Sequence, residues 1–115
     1  MQDNTYGKVC EIKAKNYLER NGYKILATNY KNKIGEIDII AKEKDVIVFV
    51  EVKGRHSRLF GDPLEAINEN KQSKIRRIAT AYLMSKKALN CKCRFDAISV
   101  LGELDEEIKH IKNAF

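Results

Sequence analysis

The chain has 115 residues, with 22 lysines and arginines against 16 acidic residues, a net charge of +6 and a pI near 9.2. That length allows one ordinary core and not two, so a single domain over residues 1–115 is expected, and no apolar stretch is long enough to span a bilayer. The opening Met1-Gln2-Asp3-Asn4-Thr5 lacks the charged-then-apolar layout of a secretion signal, and Cys10, Cys91 and Cys93 are odd in number and without zinc-site spacing, so reduced thiols in a cytoplasmic protein are expected.

From Thr5 to Glu19 the pattern is helical, with Tyr6, Val9, Cys10, Ala14, Tyr17 and Leu18 on one stripe and Asn21-Gly22 as the stop. At roughly 100° per residue, Glu11 falls about 20° beyond Leu18, at the edge of that stripe. Tyr23 to Tyr30 reads as a first strand. Two more strand-like runs follow, Gly35-Glu36-Ile37-Asp38-Ile39-Ile40 and Val48-Phe49-Val50-Glu51-Val52-Lys53, joined by the short polar loop Lys42-Glu43-Lys44-Asp45.

After Arg58 the chain turns through Gly61-Asp62-Pro63, and a second helix is predicted with Asp62 as N-cap, Pro63 first in the helix and Glu65 three residues after the cap, running to about Ser85. Its stripe is Leu64, Ile67, Ile75, Ile78, Ala79 and Tyr82, with Lys71 set inside it. A lysine there either snorkels past the core or leans toward a site. Arg94 to Val100 reads as another strand, and Ile108 to Ile111 as a short last one after the acidic turn Asp105-Glu106-Glu107. Strands, then a helix, then more strands make an α/β protein with a mixed sheet flanked by helices.

The chemistry lies in the two middle strands. Side chains alternate along a strand, so Glu36, Asp38 and Ile40 share a face, as do Ile47, Phe49, Glu51 and Lys53, while Ile37, Ile39, Ala41 and the valines at 46, 48, 50 and 52 form the opposite faces. If Ala41 pairs with Val46, Asp38 sits opposite Phe49 and diagonal to Glu51; a register shifted by two sets it directly opposite Glu51. Strands apolar on both faces are covered on both sides, and a covered carboxylate costs several kcal/mol unless it is paired or holds a metal. Two carboxylates and a lysine so placed point to a cation site.

Asp38 followed by Glu51-Val52-Lys53 resembles the Asp…Glu-x-Lys signature of the restriction-endonuclease-like, PD-(D/E)XK, nuclease superfamily. The wider text resembles one bacterial family, the YraN-like uncharacterised proteins. The likeness covers Glu11 and Ala14, Gly22-Tyr23-Lys24-Ile25-Leu26, Gly35-Glu36-Ile37-Asp38, Phe49-Val50-Glu51-Val52-Lys53 with Arg55, Lys71, Arg94-Phe95-Asp96 and Ala114-Phe115. The chain departs from that family at Cys10, where a glycine is expected, and Ile37 replaces the superfamily's proline. The resemblance implies an αβββαβ core, a role at the metal for Glu11, and a functional role for Lys71. Asp96 matches a family position, yet a structural pair with Arg94 or Lys71 is the expectation for it. For His56 a loop position without a catalytic role is expected.

Oxygen ligands without histidine or cysteine suit Mg²⁺ or Mn²⁺. Asp38 and Glu51 are the expected direct ligands, the Val52 carbonyl a third, and Glu11 a helper through water or a second ion. Lys53 is expected to orient the attacking water and, kept protonated by the carboxylates, to stabilise charge at phosphorus. The positive balance points to nucleic acid as partner, DNA by analogy with junction resolvases, with Lys31, Lys33, Arg55, Arg58, Lys74 and Arg77 as phosphate contacts. The leading expectation is a metal-dependent endonuclease processing branched DNA. Its alternatives are a nucleic-acid-binding protein of the same fold with little cleavage, and an adaptor acting through a protein partner. No membrane partner is expected, and the residues leave a homodimer open.

Overall fold

The computed structural model describes residues 4–56, 64, 67–102 and 107–115, with backbone only at Asn4 and Thr5. Helix α1 (Asn4–Arg20) is followed by strands β1 (Lys24–Lys31), β2 (Glu36–Glu43) and β3 (Val46–Arg55), then helix α2 (Glu69–Ser85) and strands β4 (Lys92–Leu101) and β5 (Glu107–Ile111). The strands form a single sheet in the order β1-β2-β3-β4-β5. Only β3 and β4 run parallel; the other neighbours are antiparallel. A parallel pair needs a crossover, and the segment carrying α2 supplies it. This is the expected α/β class, a mixed sheet with two helices, consistent with a restriction-endonuclease-like αβββαβ core.

One helix covers each face. Cys10, Ala14 and Leu18 of α1 pack on Ile39, Ala41, Val48, Val50, Val52, Ile98 and Val100, while Ile75, Ile78, Ala79, Tyr82 and Leu83 of α2 pack on Ile37, Ile40, Ile47 and Phe49. Side chains buried as completely as Leu18, Ile39 and Phe49 each contribute about 1.5–3 kcal/mol of transfer free energy. Helix α1 ends as its sequence indicates: Gly22 adopts a φ of +87°, and the Tyr23 N–H returns to the Leu18 carbonyl at 3.0 Å. Close approach of α1 to β3 depends on Gly54, where a β-carbon would collide with Cys10 Sγ and come within 3.2 Å of Tyr6.

Three expectations are corrected. Val9 is 37% exposed and lies outside the core stripe. Helix α2 starts at Glu69, capped by the Asn68 side chain, which accepts from the Lys71 N–H at 3.0 Å; Leu64 and Ile67 precede the helix, and the proposed start at Asp62, Pro63 and Glu65 lies outside the described residues. Ile37 packs toward α2 although Ile39 packs toward α1. A strict alternation would put both on one face, so β2 changes face between them, at Asp38.

Candidate active site

The β2–β3 ladder pairs Ile39 with Val50 and Ile40 with Phe49. This is the second of the two registers considered, and one further step sets Asp38 opposite Glu51. The paired residues end at Ile39, and there the Val52 N–H donates to Asp38 Oδ2 at 2.8 Å. The side chain thus takes over a backbone donor that the diverging strand has left. The resulting cleft, about 460 Å³, is lined from α1 by Glu11, from β2 by Glu36 and Asp38, from β3 by Glu51, Val52, Lys53 and Arg55, and from α2 by Lys71 and Lys74. Splaying of β2 explains how residues from helices on opposite faces of a sheet meet in one place.

The cleft sets four carboxylates among four cationic side chains, and its most deeply buried acid is only partly satisfied by them. Glu51 is 3% exposed, and its Oε1 atom is buried without a hydrogen-bond partner. Its Oε2 lies 3.6 Å from Lys71 Nζ. Burial raises the Glu51 pKa against the pull of Lys71 and Lys53. Burial, the Glu51 charge and the Glu11 charge together push the Asp38 pKa up to about 8, the Val52 N–H opposing them. Lys53 is shifted down, by desolvation first and then by Lys71, effects that exceed the opposing pull of Glu51 and Asp38. The carboxylates thus favour the charged Lys53 as expected, while burial and the neighbouring Lys71 work against it.

Among the described residues no three acidic, imidazole or thiol side chains are grouped so as to hold an ion by themselves. The donor set nonetheless fits a hard divalent cation: two carboxylates that resist sharing a net negative charge, and an orphaned carboxylate oxygen. Remaining ligands would come from backbone or water, and Val52 is among the residues that line the cleft.

Other expected residues separate into groups. Glu11, Lys71, Lys74 and Arg55 line the cleft, and Arg77 lines a second concavity over α2. Lys31 and Lys33 are exposed and absent from the cleft wall, and Arg58 lies outside the described residues. His56 is exposed and stacks on Tyr6 with ring centroids 4.0 Å apart. Asp96 is structural: wholly buried, it accepts from Arg94 Nε at 2.8 Å and Nη2 at 2.9 Å and from the Asn113 N–H at 3.1 Å, with His110 Nε2 at 2.8 Å. Lys71 pairs with Glu51 instead.

Asn29 and Glu36 were not foreseen as site residues. Asn29 holds a φ of +51° within β1, and its Nδ2 donates to Glu11 Oε1 at 3.0 Å and to Glu36 Oε2 at 2.8 Å. One carboxamide thereby aligns two carboxylates beside Asp38. An asparagine where a strand should continue is the one sequence signal that could have marked it, because asparagine tolerates the left-handed region.

Fold and cleft together define an α/β protein of restriction-endonuclease-like architecture with an Asp–Glu–Lys centre at the point where two strands part. The chain belongs to the uncharacterised protein family UPF0102, whose model matches residues 10–100; this is the YraN-like family that the residues resemble. It is similar to UPF0102 proteins of Alkaliphilus metalliredigens (46% identical, covering 86% of this chain and 87% of the relative) and Caldicellulosiruptor saccharolyticus (46% identical, covering all of both). The UPF0102 protein of Caldanaerobacter subterraneus is 49% identical over 96% of this chain and 94% of its own. Among the described residues no helix is long and apolar enough to cross a membrane.

Proposed function

We propose that the protein is a divalent-metal-dependent endonuclease that hydrolyses phosphodiester bonds in DNA, with branched structures as the preferred substrate by analogy with junction resolvases. The observation that carries this reading is the pairing of half-buried Asp38 with buried Glu51 beside Lys53 and Lys71, with a raised pKa on both carboxyls and one Glu51 oxygen unpartnered. A structural ion pair would satisfy its own charges, as Asp96 and Arg94 do. A surface evolved only to hold a polyanion would gain nothing from four carboxylates that repel it.

Asp38 and Glu51, helped by the Val52 carbonyl, would hold Mg²⁺ or Mn²⁺, which supplies Lewis-acid polarisation of the phosphate and a nucleophile at neutral pH. The Val52 N–H fixes Asp38 through Oδ2, and Asn29 fixes Glu11, so both carboxylates keep their direction without a ligand. Lys53 Nζ orients the attacking water and stabilises the charge that develops at phosphorus. Lys71 Nζ, beside Glu51, faces the charge that grows on the phosphoryl oxygens.

The test is cleavage of labelled linear, flapped and four-way DNA with Mg²⁺ or Mn²⁺. Asp38→Asn and Glu51→Gln should each abolish cleavage, and Lys53→Ala should lower it by about 100-fold or more. Equal rates in all three variants and the parent would exclude this centre. Tight binding without cleavage in any metal would favour the binding-protein alternative.

A further inference from the structure

We infer that the substrate strand crosses the end of the sheet from α1 to α2, and that Lys8 and Lys15 of α1 hold the phosphates on the side of the centre away from α2; this rests on the nucleic-acid reading above. Three concavities run together there. A groove of about 240 Å³ between α1 and β1 shares Glu11 and Asp38 with the central cleft. The cleft in turn shares Lys71 and Lys74 with the concavity over α2 that Arg77 also lines. The carboxylates therefore stand at the middle of a continuous surface path.

The charge along that path has a physical reason. Glu11, Glu36, Asp38 and Glu51 share the cleft with Lys53, Arg55, Lys71 and Lys74, so its formal charges balance and a polyanion gains net attraction from cations that flank it on both sides. Lys74 and Arg77 provide one side. On α1, Lys8, Glu11, Ile12 and Lys15 line the same groove at the i, i+3, i+4, i+7 spacing of one helix stripe, which sets the two lysines about 10 Å apart along the axis. Lys8 is exposed; Lys15 contacts Glu19 at 3.3 Å in a solvent-exposed pair, an interaction weak enough to give way to phosphate. Ile12, 57% exposed between them, offers an apolar contact to a sugar or base. The groove is of a size to take the backbone of one strand, so a single strand, and not a duplex, is assigned to the α1 side.

Binding of a fluorescein-labelled single-stranded oligonucleotide, and of the duplex of the same sequence, is measured by anisotropy in chelator over a range of salt, where no cleavage interferes. Lys8→Gln with Lys15→Gln should lower single-strand affinity about 25-fold at 0.1 M salt and reduce the slope of log K against log salt by about 1.4, two contacts at about 0.7 each. Lys74→Gln with Arg77→Gln should do the same. The control, Lys44→Gln with Lys92→Gln at the opposite end of the sheet, should change affinity less than twofold, with melting temperatures of all variants matching the parent. Parent-like binding by the α1 variant, an equal loss in the control, or an α1 effect confined to the duplex would each overturn the inference. A parent that binds neither oligonucleotide at any salt concentration would overturn the nucleic-acid reading itself, and cleavage unaffected by Asp38→Asn or Glu51→Gln would remove the proposed centre while leaving the path intact.

Discussion

Replacing Asp38 by asparagine should stabilise the protein at neutral pH. The folded state lifts the Asp38 carboxyl from 3.8 to about 8, so between those values the native protein holds a proton that the unfolded chain has released. Stability from this group is therefore complete below about pH 4 and falls as pH rises toward 8. At pH 7 the gap of about three pH units, at about 1.4 kcal/mol each, amounts to about 4 kcal/mol. Proton sharing with Glu51 and residual solvent contact reduce it to about 2–4 kcal/mol. Asparagine keeps an oxygen for the Val52 N–H and turns its amide toward Glu51, imitating the protonated acid. Urea unfolding in chelator from about pH 4 to 9 should show parent stability declining with pH and a flatter profile for Asp38→Asn, the variant being more stable above about pH 6. Divalent cation should restore the parent at pH 7 and leave the variant unchanged. A parent profile that is flat or rises between pH 5 and 8, or a variant less stable than the parent at pH 7, would refute the electrostatic account of the cleft.

Gly54→Ala should cost about 1–3 kcal/mol, because its new methyl meets Cys10 Sγ; Cys10→Ala should recover part of that loss in a double-mutant cycle measured by thermal unfolding. Asp96→Asn should cost about 1–3 kcal/mol by weakening its bonds to Arg94 and His110, Arg94 keeping Glu43 and Tyr23 as partners. The Arg94, His110 and Asn113 contacts hold the Asp96 pKa below its ordinary value, so stability from this group is present above about pH 4 and is lost on further acidification; calorimetry at about pH 3 and pH 7 should show the parent losing its advantage over the variant at the lower pH. Asn29→Ala should raise the Mn²⁺ or Mg²⁺ concentration needed for half-maximal stabilisation by about tenfold, a loss typical of groups that orient metal ligands, with little change of melting temperature in chelator.

Much of this molecule follows from alternation and helical spacing alone. The order of elements, the covered faces of β3, the stop at Gly22 and the nearness of Asp38, Glu51 and Lys53 are local properties, since a strand of period two and a two-residue turn leave the carboxylates few places to go. Asp96 with Arg94 was also legible, because residues two apart on one strand share a face. The start of α2 was not: Asp62-Pro63 and Asn68 both carry capping chemistry, and propensity does not rank one against the other. Ile37 and Ile39 part company because β2 twists away from β3 at Asp38, which depends on where two helices press and on an asparagine in a left-handed conformation. That divergence lets Glu11 and Lys71 reach one centre from opposite faces of the sheet. It also left Lys53 beside another lysine, so that desolvation and like charge outweigh the carboxylates. Pairwise attraction along a strand can be read from the residues themselves; the sign of a pKa shift depends on burial and on neighbours distant in sequence, which exist only once the chain has folded.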